Sequence, residues 1–554
     1  MTGDAQAFMD RAKSLAARVK RARSVAIFSH IDADGVSSAA IAYRAVERLG
    51  VDPKVHFLKS LNEKEIKLIN SSSEDLIWIC DLGAGSYKSI DRSRAIITDH
   101  HHIFGSGQSF LEFFGGMDNM LNPVEFGFEG STHLSGAGCT YFVARELDPA
   151  NVDLAYLAIV GAVGDLQDRK ARRLEGPLHT SVIEDALGTG VLQVVEDDLP
   201  FFGWVTRTAV AMIAFSNDLR AIGWECTFSE VSQLFKSYGV NTFRGRRDLS
   251  IKDENLSKFY SWSELENGSR NILKVALRNS LQDMGKDPAI LDGMLGDVYL
   301  FPSYPVGSAS REAKEFATML NASGRYLRSK SEAGPTGSIV EQQAADGDER
   351  GEGFQGELII KACLDPVSFS SDAMARLGNH RDNLKKGMGE IHSIVPMNHI
   401  QYIKGRMSGQ DNKNRSKYTL TAEDTILGII VGMALDQKPN GDGARLSVRD
   451  DMPLIALTDV SPDSLEEDVT VQGRNGPSGE RVKVSGRMKR ELVDKGVHLG
   501  EAMKQAALKV KGVGGGHDVA AGATIPKRRM KAFLDALDEE IGGQKERFSP
   551  SERP

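Results

Sequence analysis

The sequence contains few cysteines and lacks any apolar run long enough to cross a membrane, which takes about 18 residues. Its N-terminal residues also lack the apolar core of a signal peptide. The four cysteines, Cys80, Cys139, Cys226 and Cys363, are far apart and form no CxxC pair. This spacing indicates neither a disulfide framework nor a zinc ribbon. We therefore expect a protein of the reducing cytoplasm with no membrane partner.

The chain also lacks a net basic charge and an internal repeat. Lys and Arg number 68 against 76 Asp and Glu, which gives a net charge of -8. This is a weak argument against nucleic-acid binding, because a local basic groove is enough for phosphate contacts. The contents of 41% hydrophobic and 26% charged residues are typical of soluble globular proteins. A length of 554 residues indicates roughly two to four domains.

Short apolar runs alternate with helical patterns through the first third of the chain. Strands are predicted at 24–30, 54–58, 76–80 and 95–98, and helices at 36–50, 139–145 and 154–164. This alternation predicts a parallel sheet with helices on both faces. In such sheets the ligand crevice lies beyond the carboxyl ends of the strands.

Acids and histidines follow these elements at the positions where strands would end. They are His30, Asp32, Asp34, Asp81, Asp99, His100 and Asp165. Carboxylate and imidazole donors favour Mn²⁺ first and Mg²⁺ second, because imidazole is a poor magnesium ligand. Such a set can hold two divalent ions that assist an in-line phosphoryl displacement. His101 would then contact a scissile phosphate oxygen. The alternative is a polar strand end with a histidine cluster. Asp168, three residues after Asp165, would share a face with it if the helix continues. Asp168 could orient a ligand from behind or cap the helix, and the cap is favoured.

Two further stretches suggest contacts with nucleic acid, each with a plainer alternative. Residues 1–23 predict an amphipathic helix whose basic face is more typical of a solvated surface. Ser135 and Gly136 open a predicted helix, where glycines can cradle a phosphate or simply allow tight packing. Gly514, Gly515, Gly516 and His517 would let a backbone approach a ligand closely, or form a bare turn.

The second half of the chain changes character twice. Residues 180–320 predict mainly helices, including 192–205 and 312–320. Residues 329–356 are rich in Gly and acids and predict a mobile loop. Beyond them, strands are predicted at 399–404, 451–458 and 481–485, with an apolar helix at 422–435 and a long charged helix at 374–395.

The ordered motifs resemble those of a known superfamily. HIDADG, CDLG, TDHHH and GAVGDLQD, in this order, resemble the four motifs of the DHH phosphoesterases. VKVSGR and GVGGGHDVAAG resemble the DHH-associated substrate-binding domain of the RecJ branch, and LNP with LSGAG is similar to RecJ as well. NASGR at 321–325 resembles the archaeal members, which include the GINS-associated nuclease.

The resemblance implies roles for individual residues. Asp32, Asp34, Asp81, His100 and Asp165 would be metal ligands, with His30 and Asp99 as ligands or immediate support. His101, Asp34 and Asp99 would serve catalysis. Arg487 and His517, with the neighbouring glycines, would hold the nucleic-acid backbone.

The resemblance also implies a fold and a domain order. We expect an α/β protein with an N-terminal parallel-sheet DHH domain, a helical middle region and a C-terminal α/β DHH-associated domain. The expected boundaries are 1–23 (amphipathic helix), 24–185 (DHH), 186–328 (middle), 329–356 (loop), 357–395 (connecting helical segment), 396–542 (DHH-associated) and 543–554 (disordered tail). The acidic stretch 329–356 departs from the archaeal relatives.

The implied activity is that of a single-strand exonuclease. The resemblance predicts hydrolysis of single-stranded DNA, or RNA, from the 5′ end with two Mn²⁺ ions, Mg²⁺ and Co²⁺ being alternatives. It places the protein in DNA replication or repair and names the GINS complex and the replicative helicase as candidate partners. The competing interpretations are a phosphodiesterase of oligoribonucleotides or cyclic dinucleotides, and a replisome scaffold.

Overall fold

The computed structural model describes residues 3–101, 118–243, 259–325, 359–368, 378, 382–389, 391, 394–404, 426–435, 448–459, 481–516 and 518–548. The chain forms two compact units. Unit 1 comprises Met1–Leu219 and Trp224–Leu377, and unit 2 comprises Gly378–Pro554 with Arg220–Gly223. The predicted loop 329–356 lies outside the described residues. Among the helices that are described, none is both long and apolar enough to cross a membrane.

Unit 1 contains a sheet of five parallel strands. They are β1 (Val25–His30), β2 (Lys54–Leu58), β3 (Leu76–Cys80), β4 (Ala95–Thr98) and β5 (Met120–Leu121). Their order is β2-β1-β3-β4-β5, and each neighbouring pair is parallel. The four predicted strands are therefore confirmed, and β5 adds a short fifth strand at the edge.

Eleven labelled helices accompany the strands in the described part of unit 1. They are α1 (Ala5–Val19), α2 (Ala33–Glu47), α3 (Glu63–Ser71), α4 (Gly136–Leu147), α5 (Ala155–Gly164), α6 (Pro177–Gly188), α7 (Ala209–Ala214), α8 (Asn217–Ala221), α9 (Phe228–Ser237), α10 (Asn267–Asp283) and α11 (Ala313–Arg325). The predicted amphipathic helix at the N-terminus is α1, and its predicted apolar residues are buried.

Apolar side chains cover both faces of the five-stranded sheet. Ile27 and Trp78 point into a core shared with residues of α1, α2, α4, α5 and α11. Their strand neighbours Phe28 and Ile79 point to the opposite face, where they pack with Ile69 of α3. Because successive side chains of a strand alternate between faces, a strand buried on both faces must be apolar throughout. The prediction of helices on both faces is confirmed.

The middle of unit 1 contains a strand where the sequence predicted a helix. Residues 192–205 were expected to be helical, but β6 (Gln193–Asp198) pairs antiparallel with β7 (Gly296–Leu300). Gly190 at φ +73° follows the end of α6. The adjacent Val194 and Val195 favour extended backbone, and Pro200 cannot supply an amide for a continuing helix. The helical prediction for this stretch is therefore wrong.

Unit 2 contains a six-stranded mixed sheet. Its strands are β8 (Val395–Pro396), β9 (Gln401–Lys404), β10 (Leu454–Asp459), β11 (Arg481–Arg487), β12 (Val513–Gly516) and β13 (Ala520–Pro526). They lie in the order β12-β13-β11-β10-β9-β8, and only β9 and β10 are parallel neighbours in this described sheet. The helices are α12 (Leu427–Leu435), α13 (Leu499–Lys509) and α14 (Met530–Phe548).

The last helix extends beyond its predicted end. The segment from residue 543 was expected to be a disordered tail, but α14 continues to Phe548. Ile541 is fully buried in the core of unit 2, and the ammonium group of Lys545 donates to the carbonyl of Asp451 over 3.0 Å. Lys545 and Arg547 also lie in the last turn, where a positive charge interacts favourably with the helix dipole. The prediction of a tail from residue 543 is therefore wrong for this stretch.

Candidate metal centre

The strand order creates a crevice at the carboxyl edge of the sheet in unit 1. From β1 the chain passes to β2 on one side, and it then returns to place β3 on the other side of β1. This reversal opens the crevice in which parallel α/β sheets bind ligands. His30 is the last residue of β1, Asp81 directly follows β3, and Asp99 directly follows β4. Three separate chain connections thus converge at this edge.

All six predicted metal ligands come together in this crevice. The Nε2 atom of His100 lies 3.0 Å from Asp165, 3.4 Å from Asp81 and 3.6 Å from Asp34. The Nδ1 atom of His30 lies 2.8 Å from Asp32 and 3.6 Å from Asp81. The donor atoms form three overlapping groups, which are Asp34-His100-Asp165, His30-Asp32-Asp81 and Asp81-His100-His101, each within 4.8 Å. Asp81 belongs to two of them.

Burial leaves polar atoms of this cluster unsatisfied. Within the part of the chain that the structure describes, His30 Nδ1, His100 Nε2 and Asp81 Oδ1 are buried and, although the two nitrogens lie close to Asp32 and Asp165, none of the three atoms has a hydrogen bond of normal geometry. An unsatisfied buried polar atom is costly, so such atoms imply a missing partner. Since all three atoms are of kinds that bind metals and belong to residues of the overlapping groups, the residues present fit divalent metal ions.

The acidic surroundings change the protonation of the cluster. Burial lowers the pKa of His100, but contacts with Asp165 and Asp81 raise that pKa well above its usual value. Burial together with the charges of Asp81 and Asp165 raises the pKa of Asp34 well above its ordinary range. The carboxylates therefore repel one another strongly in the absence of cations. Bound cations relieve this repulsion.

The start of α4 holds Asp34 in place. Its two carboxylate oxygens accept the backbone amides of Gly136 over 2.7 Å and Ala137 over 2.9 Å. The Ser135 hydroxyl caps the same helix by accepting the amide of Gly138, and Ser135 is fully buried. A Cβ on Gly136 would lie 2.9 Å from the Cα of Asp81, so only glycine fits there. The amide of Gly136 is thus used within the cluster, and the predicted contact of Ser135 and Gly136 with nucleic acid stays a prediction.

Asp99 supports the cluster from behind. One of its carboxylate oxygens accepts the ring Nδ1 of His101 over 2.7 Å and the amide of His100, and the other accepts the amide of Ala84. Burial opposes its ionisation, but the charge and hydrogen bond of His101 lower the pKa of Asp99. Asp99 is not part of the three donor groups. Its carboxylate thus contacts the ring of His101 rather than belonging to a donor group.

Two family patterns match the chain. The DHH family, N-terminal domain, matches residues 24–161, and the DHHA1 domain matches residues 462–543. The chain carries a DHH domain and a DHHA1 domain. This finding confirms the resemblance drawn from the four motifs. Together with the donor cluster, it supports a metal-dependent phosphoesterase.

Similar proteins cover nearly the whole chain. An uncharacterized protein of Methanocaldococcus jannaschii is 26% identical over 533 residues, which is 94% of each chain. The crystal structure of CDC45 from Entamoeba histolytica has a TM-score of 0.57 at 12% identity, with 98% of this chain and 100% of that chain covered. The structure of the exonuclease RecJ bound to manganese has a TM-score of 0.45 at 14% identity, covering 99% and 98%. The likeness to CDC45 shows the fold.

A tight cap at the end of α5 places the fourth DHH motif. The helix ends at Gly164, and the amide of Gln167 donates to the carbonyl of Ala162 while that of Leu166 donates to Val163. This bonding pattern is a Schellman motif, whose left-handed residue is usually glycine. Here it is Leu166 at φ +59°. The motif ends the helix so that Asp165 reaches His100.

Asp168 does not share a helix face with Asp165, because α5 ends before both residues. The Asp168 carboxylate is buried and lies 3.3 Å from the ammonium group of Lys314 at the start of α11. The interpretation of Asp168 as a helix cap is therefore wrong. Its ion pair joins the fourth motif to α11.

The residues predicted to bind nucleic acid in the DHHA1 domain lie on its sheet. Arg487 ends β11, and its guanidinium donates to the carbonyl of Gly486. Gly514, Gly515 and Gly516 form most of β12, so they belong to an edge strand rather than to a bare turn. His517 lies outside the described residues. The nucleic-acid contacts of these residues stay a prediction.

Two buried residues behind His100, Gln167 and His179, were not predicted from the sequence to have a role. The carbonyl of Gly130 accepts both the Nδ1 of His100 and the side-chain amide of Gln167. His179 of α6 contacts the other end of the Gln167 side chain over 2.8 Å. Gln167 lies inside the fourth motif, which was a usable signal. The sequence around His179 in α6 contains no motif that indicates such a contact.

Proposed function

We propose that this protein is a divalent-metal-dependent exonuclease that hydrolyses phosphodiester bonds of single-stranded DNA, or RNA, from the 5′ end. The observation that carries the proposal is the convergence of three overlapping carboxylate and imidazole groups at the crevice of the parallel sheet. Mn²⁺ suits this mixed donor set best, with Mg²⁺ and Co²⁺ as alternatives and room for two ions. The exonuclease activity and the single-stranded substrate are inferred from the resemblance to RecJ-like nucleases.

The residues divide the work of binding. His30, Asp32, Asp34, Asp81, His100 and Asp165 would hold the ions. Bound divalent ions neutralise phosphate charge and make water more acidic. The polypeptide fixes the positions of these donors before substrate arrives, because the start of α4 holds Asp34 and Gly130 holds His100.

His101 is placed to contact the substrate directly. Its side chain is 34% exposed, in contrast to the buried His100 at 6%. Burial lowers the pKa of His101, but the adjacent carboxylate of Asp99 raises that pKa above its usual value. A protonated imidazole at the open side of the cluster stabilises negative charge on a scissile phosphate oxygen. Asp99 acts through His101 rather than on the substrate.

The DHHA1 domain is proposed to hold the strand. Arg487 and the glycines of β12, with His517, would bind the phosphate backbone, since guanidinium groups pair well with phosphates and glycines allow close approach. We place the protein in the cytoplasm, in DNA replication or repair. The GINS complex and the replicative helicase are the candidate partners, and co-purification from native cells scored for both tests this point.

Side-by-side digestion of labelled strands tests the proposal. Single-stranded DNA and RNA, labelled at either end, are incubated with the full chain and Mn²⁺, Mg²⁺ or Co²⁺. We expect mononucleotides released from the 5′ end. No cleavage with any of the three ions refutes the proposal, and cleavage confined to dinucleotides or cyclic dinucleotides replaces it with the second phosphodiesterase interpretation.

Two variants and one control connect the activity to the cluster. Asp34→Ala should abolish both cleavage and Mn²⁺ binding. His101→Ala should lower the rate by roughly 10²–10³-fold while Mn²⁺ binding is retained, because removal of a group that stabilises transition-state charge has this effect. His133→Ala is the matched control, since His133 lies in the same unit but outside the donor groups. A His101→Ala enzyme as active as His133→Ala would contradict the assigned role.

A further inference from the structure

A chain of hydrogen bonds leads away from the metal cluster into the core of unit 1. The Nδ1 of His100 lies 2.8 Å from the carbonyl oxygen of Gly130, and the side-chain amide nitrogen of Gln167 lies 3.0 Å from the same oxygen. The side-chain oxygen of Gln167 then lies 2.8 Å from the Nε2 of His179. Gln167 and His179 are only 4% and 2% exposed.

The chemistry of the groups determines the direction of every bond. A carbonyl oxygen only accepts, so both His100 Nδ1 and the Gln167 nitrogen must be donors to Gly130. The Gln167 side-chain oxygen therefore faces His179, and His179 Nε2 must carry the hydrogen. With Nδ1 of His100 committed to Gly130, its Nε2 is the ring nitrogen left to face the carboxylates of Asp165, Asp81 and Asp34.

Three structural features hold this series of hydrogen-bonded groups in place. The Schellman motif at the end of α5 fixes both Asp165 and Gln167, because the backbone amide of Gln167 donates one of the two hydrogen bonds of the motif. A Cβ at Gly130 would collide with the carbonyl oxygen of His100, so the loop carrying Gly130 lies directly against His100. His179 comes from α6, in which its neighbours Leu178 and Val182 are buried.

We propose that Gln167 and His179 are positioning residues that fix the orientation and tautomer of His100, so that its Nε2 is presented to a bound metal ion. The inference rests on the proposed metal-dependent function. The two residues touch neither substrate nor metal. They act through the Gly130 carbonyl, as a shell of hydrogen bonds behind metal-ligating histidines commonly does.

Binding of Mn²⁺ to the full chain, followed by the electron paramagnetic resonance signal of free Mn²⁺, tests the proposal without substrate. Gln167→Glu keeps the size of the side chain but puts an acceptor against the Gly130 carbonyl. We expect it to weaken Mn²⁺ binding by roughly 10–100-fold, the usual effect of losing such a hydrogen bond. His179→Phe, which removes the donor to Gln167, should weaken binding in the same direction.

A conservative replacement separates positioning from mere packing. In His179→Gln the side-chain amide restores a donor close to the position of His179 Nε2, so binding should stay within about threefold of the original chain. Tyr141→Phe is the matched control, because it removes a partly buried hydrogen bond to Asp185 in the same unit and leaves the hydrogen bonds behind His100 intact. It should bind Mn²⁺ as the original chain does.

The outcomes are distinguishable. If folded Gln167→Glu binds Mn²⁺ as tightly as Tyr141→Phe, the positioning role is refuted. Should Gln167→Glu fail to fold, judged by circular dichroism, the comparison of His179→Phe with His179→Gln decides, and equal binding by both refutes it. If the original chain itself binds no Mn²⁺, the proposed function fails first.

Discussion

We expect the stability of unit 1 to depend on pH through the low pKa of the buried His179. Burial, with a smaller contribution from His133, lowers the pKa of His179 from 6.5 to about 3, although a hydrogen bond with the Thr132 backbone acts in the opposite direction. In the unfolded chain His179 is therefore protonated below about pH 6.5, whereas in the folded chain it is protonated only below about pH 3. Stability from this residue is present above pH 6.5 and is lost as the pH falls.

The size of this effect follows from proton linkage. At about pH 5 the preferential protonation of His179 in the unfolded state lowers the unfolding free energy by roughly 2 kcal/mol, whereas at about pH 7.5 this reduction is close to zero. In His179→Gln the group no longer titrates. The original chain should thus lose about 2 kcal/mol more than His179→Gln between these two pH values.

Urea unfolding of the metal-free chain, followed by tryptophan fluorescence, measures this difference. The four tryptophans of the chain, Trp78, Trp204, Trp224 and Trp262, all lie in unit 1, so the signal reports that unit alone. The quantity compared is the change in unfolding free energy between the two pH values, which cancels any constant effect of the substitution. Equal losses in both proteins would show that His179 is protonated in the folded state and would refute the reasoning.

Three further substitutions have directions that follow from the backbone. Leu166→Gly should raise the unfolding free energy by about 0.5–1 kcal/mol in urea titrations, because Leu166 is 54% exposed at φ +59°; a lower value would contradict this. Gly136→Ala should cost about 1–3 kcal/mol and weaken Mn²⁺ binding in the resonance assay, since its Cβ meets the Asp81 backbone, whereas Gly188→Ala, in open space, should not destabilise. Asn321→Leu should cost about 1–2 kcal/mol by urea unfolding, because the buried amide of Ala33 loses its acceptor; an unchanged value would argue against that hydrogen bond.

The sequence predicted the sheet of unit 1 well because its strands are buried on both faces. A run such as residues 76–80 has no polar position, and this leaves few alternatives to a central parallel strand. The positions of the acids and histidines at strand ends then followed from the general geometry of parallel sheets. The convergence of His30, Asp81 and His100 in the structure agrees with that geometry, while their roles remain a prediction.

The remaining features depend on contacts between distant parts of the chain. β6 was predicted as a helix because its partner β7 lies about 100 residues further along the chain, and pairing over this distance leaves no local signal. His179 acquires its significance only through Gln167 and Gly130, which lie on other elements. Local patterns likewise could not show that α5 would end in a left-handed Leu166 and separate Asp165 from Asp168.

Contacts between α11 and the residues that follow β1 limit where the protein can be shortened. Asn321 accepts the amide of Ala33 over 3.0 Å, a bond between residues 288 positions apart. The carbonyl of Ile31 also lies so close to Gly324 that a Cβ would collide with it. The segment matched by the DHH pattern ends at residue 161, before Asp165 and well before α11. A fragment cut at the family boundary would therefore lack both Asp165 and these contacts, and a fragment that keeps them must extend through α11.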